Sequence, residues 1–99
     1  MSLIHGNETN FKELINDELV IVDFFATWCG PCRMLGPVLE EISSTYKVVK
    51  IDVDESSSLA REYKIMSVPT IIKFKNGIEI DKIMGFLPKE ALIEWIEKK

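Results

Sequence analysis

The sequence predicts an α/β domain, a central mixed sheet of about five strands flanked by about four helices, and three observations lead there. Short β-branched runs alternate with amphipathic stretches along the whole chain, so strands and helices take turns. One run, Leu19 to Phe25 (LVIVDFF), is apolar at nearly every position, as expected of a parallel strand covered on both faces. Asn76-Gly77, a strong hairpin signal, joins two further strand-like runs and adds the antiparallel pair that makes the sheet mixed.

Each element has its own warrant. A weak strand opens at Leu3 to His5, and a helix from about Thr9 to Asn16 carries Phe11, Leu14 and Ile15 on one side. LVIVDFF is too short for a free-standing helix and is read as the central strand. A long helix then runs from Cys29 or Gly30 to Tyr46, with Met34, Leu35, Val38, Leu39 and Ile42 as its apolar stripe. Pro31 falls in its first turn, where a missing N–H costs nothing, whereas Pro37 lies inside and should kink it. Val48 to Val53 is a second β-branched strand, and Ser56 to Tyr63 a short helix with serine as its expected cap. Thr70 to Lys75 alternates like a half-buried strand, Ile78 to Met84 answers it across the hairpin, and Pro88 to Lys98 closes the chain as a helix. No repeat or linker interrupts this order, so residues 1–99 read as a single domain.

At 99 residues and 46% hydrophobic, such a chain removes roughly 60 to 70% of its unfolded surface from water without cross-links. Twelve basic against sixteen acidic residues give a net charge of −4 with no basic cluster, which argues against nucleic acid as a partner. No apolar run approaches the roughly 18 residues of a membrane span, and the first residues show neither the basic nor the apolar region of an export signal. The expectation is a cytoplasmic chain with no membrane partner.

Chemistry is expected where LVIVDFF hands over to the long helix, the carboxyl edge of a central strand. There lie the chain's two cysteines, Cys29 and Cys32, in FATWCGPCRM. Zinc would need four ligands, and the rest of the chain adds only His5 to the thiols and imidazoles, so a metal site would need two chains. A permanent staple closing so short a loop constrains the unfolded chain little. A reversible redox pair explains more: residues three apart in a first helical turn bring their Cα atoms to roughly 5 to 5.5 Å, inside the disulfide window. Cys29 caps the positive end of the helix, which favours its thiolate and makes it the nucleophile. Cys32, one turn further in, should be more shielded and protonated until needed, the resolving thiol.

Several stretches in order, DFFATWCGPCRM, VVKIDVD, IMSVPTIIKFKNG and MGFL, resemble the thioredoxin family over essentially the whole chain. The resemblance implies the thioredoxin fold and a protein dithiol–disulfide oxidoreductase that acts mainly as a reductant. Its partners would be disulfide-containing protein substrates and a flavin-dependent thioredoxin reductase using NADPH; the chain itself would be a monomer that binds no cofactor and no metal.

Four further readings turn on that resemblance. Asp23 interrupts an apolar strand; on sequence alone its carboxyl could be satisfied by backbone at a strand end, or desolvation could raise its pKa and let it take the proton of Cys32, the role the family gives an acid here. Lys50 would by default snorkel to water, whereas the family brings it near the buried acid. Val68-Pro69 would by default be trans, since only about 5 to 6% of such bonds are cis; the resemblance implies cis, facing the cysteines, with Val68 presenting its backbone to an extended substrate. Trp28, Gly30, Pro31, Val68, Pro69 and Gly85 would then form a flat, mildly apolar rim around Cys29. Phe25 departs from the second tryptophan of many bacterial relatives but keeps an aromatic. His5 and Trp95 receive no role beyond a strand end and a helix core. Two other readings remain: an oxidase or isomerase domain of the same fold, against which the uncharged Gly30-Pro31 argues, and a binding subunit that uses the fold as a scaffold.

Overall fold

The computed structural model describes residues 2–98. Its nine elements follow the expected order: β1 (Ser2–His5), α1 (Phe11–Ile15), β2 (Val20–Phe25), α2 (Gly30–Ile42), β3 (Lys47–Asp52), α3 (Ser57–Glu62), β4 (Thr70–Lys75), β5 (Ile78–Met84) and α4 (Lys89–Glu97). The strands form one sheet in the order β1-β3-β2-β4-β5, parallel from β1 to β2 and antiparallel beyond it. This is the five-stranded mixed sheet with four helices that the alternating pattern predicts.

β2 lies in the middle because its residues are apolar on both sides of the pleat. Val20, Val22 and Phe24 point to a layer built with Phe11 and Ile15 of α1 and Leu59 of α3. Ile21 points to the opposite layer with Leu35, Leu39 and Ile42 of α2 and Leu92, Trp95 and Ile96 of α4. Phe11, Phe24, Tyr63 and Phe74 interlock in the first layer with ring centroids 5.4–6.4 Å apart, an arrangement that adds quadrupole attraction to buried area.

Element ends differ from the sequence reading wherever a small polar side chain competes for the backbone. α1 starts at Phe11 rather than Thr9, since the Asn7 side chain accepts the N–H groups of Thr9 and Asn10 and folds them into a turn. α2 ends at Ile42 rather than Tyr46, where the Ser43 and Ser44 hydroxyls donate to the carbonyls of Glu40 and Glu41. The helix continues through Pro37. Ser56 precedes α3 as expected but makes no side-chain cap; the carboxylate of Glu8, fifty residues away, accepts the Ser58 N–H at 2.9 Å and its hydroxyl.

β4 is the larger correction. Its alternation suggests one solvated face, yet Thr70 through Phe74 are all buried. Lys73, 3% exposed, donates its ammonium to the carbonyls of Trp95, Ile96 and Lys98 at 2.8, 3.3 and 3.1 Å. A lysine in a central strand thereby caps the negative end of α4. At the hairpin, Asn76 and Gly77 both take positive φ, 52° and 82°, as a tight two-residue turn requires.

Candidate active site

Three chain ends converge at one edge of the sheet: the end of β2, the end of β3 and the start of β4. The loop after β2 delivers Cys29 as the N-cap of α2, with extended backbone angles that place its sulfur over the first turn. Cys29 and Cys32 are joined by a disulfide with Cα atoms 5.3 Å apart, as the spacing predicts. The Cys32 N–H, one of the helix's otherwise unpaired donors, points at Cys29 Sγ at 3.2 Å. In the reduced protein the same N–H and the helix dipole favour a thiolate on Cys29.

The expected contrast in exposure between the two sulfurs is absent. Cys29 is 5% exposed and Cys32 3%, because both pack with Ala26 under Phe25, Val53 and Val68. What separates them is orientation. Cys29 stands at the helix end, 3.6 Å from the Val68 carbonyl oxygen, whereas Cys32 lines a separate cleft with Phe25, Arg33 and Lys50.

Asp23 lies on the sheet face that carries Ile21, the face packed against α2. It is completely buried, and neither carboxylate oxygen has a hydrogen-bond partner among the described residues. The alternative of a carboxyl satisfied by neighbouring backbone is therefore excluded. Burial pushes its pKa up from 3.8 to about 7, and the positive charge of Lys50 acts in the opposite direction. Lys50 is register-paired with Asp23 and is half-buried; its ammonium lies 4.6 Å from the centroid of the Phe25 ring.

The rim residues gather around this pair. Val68-Pro69 is cis. The Pro69 carbonyl accepts the Gly85 N–H at 2.8 Å, and Gly85 has φ of 94°, a conformation that side chains disfavour. Gly30 and Pro31 are exposed beside Cys29. Trp28 is 67% exposed, and its indole N–H donates to Asp54 Oδ2 at 3.0 Å.

Sequence reasoning misses three parts of the site. Asp54, which fixes the Trp28 ring, sits in the polar end of KIDVD and carries no signal of its partner. The expected flat rim is a groove of about 390 Å³ on the Trp28 side, lined also by Val53, Ile65 and Met66. Met66, 91% exposed, could have been suspected from its place just before Ser67-Val68-Pro69. His5, given no role, meets the Phe25 ring edge-on, with centroids 6.4 Å apart.

A cysteine at a helix N-terminus, a second cysteine bonded to it, a buried carboxyl with no hydrogen-bond partner among the described residues and an apolar groove together suit exchange with disulfides on other proteins. The comparisons agree. The thioredoxin family model matches residues 2–98. Curated thioredoxins from Staphylococcus saprophyticus and Staphylococcus aureus are 47% and 44% identical, each over 99% of this chain and 98% of its own. Among solved structures, a mutant thioredoxin from Halobacterium salinarum superposes with a TM-score of 0.92 at 35% identity, covering 97% of this chain and 88% of that one. Plasmodium falciparum thioredoxin gives 0.87 at 41% identity, covering 97% of both chains. With the fold, the disulfide and the length all in agreement, the chain belongs to the thioredoxin family of protein-disulfide reductases, with Cys29–Cys32 as its redox-active pair.

Proposed function

We propose that the reductase chemistry divides among residues as follows. Cys29 thiolate attacks one sulfur of a substrate disulfide; a mixed disulfide forms and one substrate thiolate leaves. Asp23 carboxylate takes the proton of Cys32, whose thiolate then attacks Cys29 Sγ. That step closes the intramolecular disulfide and frees the second substrate thiolate, which is protonated from Asp23 or water. Substrate thus gains two electrons, and the cysteine pair loses them. The observation that supports this most directly is the buried Asp23 on the α2 side of the sheet, without a hydrogen-bond partner among the described residues, with its register neighbour Lys50 lining a cleft shared with Cys32.

Substrates are proteins that present a disulfide in an extended segment. Such a segment lies in the groove between Trp28 and Met66 and pairs with the backbone at Val68, while Gly30, Pro31, Pro69 and Gly85 leave room for its approach. A thioredoxin reductase that draws on NADPH restores the dithiol. The chain works as one monomeric domain in the cytoplasm, and among the described residues no helix is long and apolar enough to cross a membrane.

Insulin reduction, followed by turbidity with NADPH and a thioredoxin reductase, tests the assignment. Cys29→Ser should abolish turnover, and Cys32→Ser should retain single attacks and accumulate protein adducts on Cys29. Full activity in Cys29→Ser, or adducts formed on Cys32 rather than Cys29, would overturn the order of attack.

A further inference from the structure

The strand order sets His5, Lys50 and Asp23 in one row across three parallel strands, His5 opposite Lys50 and Lys50 opposite Asp23. Phe25, two residues beyond Asp23 on the same face of β2, stands over that row. Its ring takes the Lys50 ammonium at 4.6 Å on one contact and the His5 ring at 6.4 Å and 75° on another. A lysine beside a buried carboxylate ordinarily closes a charge-assisted hydrogen bond onto it. Here both carboxylate oxygens are without a partner among the described residues, and the ammonium lies over the ring instead.

We propose that Phe25 is a positioning residue for the resolving step: its ring, braced by His5, holds the Lys50 ammonium out of hydrogen-bonding reach of Asp23. The consequence is chemical. A carboxylate hydrogen-bonded to an ammonium is a poor acceptor for the Cys32 proton, whereas one that feels the charge only through space remains a good one. The aromatic face supplies enough attraction to hold a partly desolvated ammonium without neutralising it.

The other charged groups around the row do not supply a rival cation. On α2, Arg33 lines the same cleft but donates to the Thr27 carbonyl at 3.2 Å. On β3, Asp52 is opposite Phe25 in register and accepts the Asp54 N–H at 2.8 Å. β4 places uncharged Ile71 opposite Asp23, and β1 contributes His5. Lys50 is the cation whose position matters.

This inference rests on Asp23 as the proton acceptor, and the test separates the two. In the oxidised full-length protein the carboxyl of ¹³C-labelled Asp23 is titrated by NMR; in parallel, release of a dye held on Cys29 as a mixed disulfide is followed against pH. Phe25→Leu should move the Asp23 midpoint down by about one pH unit, a tenfold change in proton affinity, and move the release profile with it. Phe25→Trp, which keeps a cation-binding face, should preserve both. In a Lys50→Met background, Phe25→Leu should move nothing.

An unchanged or rising midpoint in Phe25→Leu would overturn the proposal. So would an undiminished shift without Lys50, which would mean that water entry rather than the ammonium is responsible. Phe25→Met, closer to phenylalanine in volume, takes the place of Phe25→Leu if that variant fails to fold. An Asp23→Asn protein that keeps the parental release profile would overturn the acceptor role itself, and the carboxyl titration would still judge Phe25.

Discussion

Asp23 shows how much a single side chain can weigh. A carboxyl whose pKa is about 7 in the folded chain and near 3.8 when exposed holds its proton more tightly in the native state. Between roughly pH 4 and 7 the folded protein therefore binds more protons than the unfolded one, and stability falls as pH rises through that window. The loss is complete above the native pKa and amounts to about 4 kcal/mol at most. Asp23→Asn should accordingly be more stable than the parent at pH 8 by about 2 to 4 kcal/mol and nearly equal to it at pH 4. Urea midpoints of the oxidised proteins at the two pH values check this; a difference independent of pH would show that packing, not ionisation, sets it. Under the proposed mechanism activity should move the opposite way, since the group that costs stability is the one assigned to accept the proton.

At the scale of elements, the contacts that matter most join parts of the chain far apart in sequence. Lys73 locks β4 to the last turn of α4 through three carbonyls, and Trp95, whose ring lies 5.0 Å from the same ammonium, donates its indole N–H to Asp81 of β5 at 3.0 Å. Lys73→Met keeps the volume but leaves those carbonyls to water. It should cost about 1 to 2 kcal/mol, with faster amide exchange confined to residues 93–98 and the Cys29–Cys32 chemistry intact. Loss of protection throughout the sheet would mean that Lys73 supports the core rather than the helix end.

These same contacts mark how far the sequence could be read. Element order was legible because β-branched runs, helical spacing and Asn76-Gly77 are local signals. Cys29, Cys32 and Asp23 were legible because a cysteine pair at a helix start and an acid inside an apolar strand are anomalies that physics must explain. The reach of Glu8 to α3, the burial of Lys73 and the hold of Asp54 on Trp28 were not legible, because each depends on residues brought together only by the folded sheet.

For the molecule as a whole, the disulfide contributes chemistry more than strength. Two separate core layers flank the sheet, and the cysteines belong to neither; they form a small third cluster at its edge. The chain-entropy account gives so short a loop about 2 kcal/mol or less. Cys29→Ser with Cys32→Ser should therefore fold to the same sheet, with a melting temperature no more than about 10 °C below that of the oxidised parent. Calorimetry with amide exchange of β2, β3 and β4 would test it, and a molten ensemble would contradict it.

One wall of the groove comes from a different stretch of chain than the disulfide: Ile65 and Met66 precede β4, whereas Cys29 and Cys32 follow β2. Inheritance can therefore act on them separately. With the groove as the proposed substrate seat, substitutions at 65 and 66 would redraw the client list while the disulfide stays as it is, and duplicated copies of such a gene would diverge into specialists without reinventing their reaction.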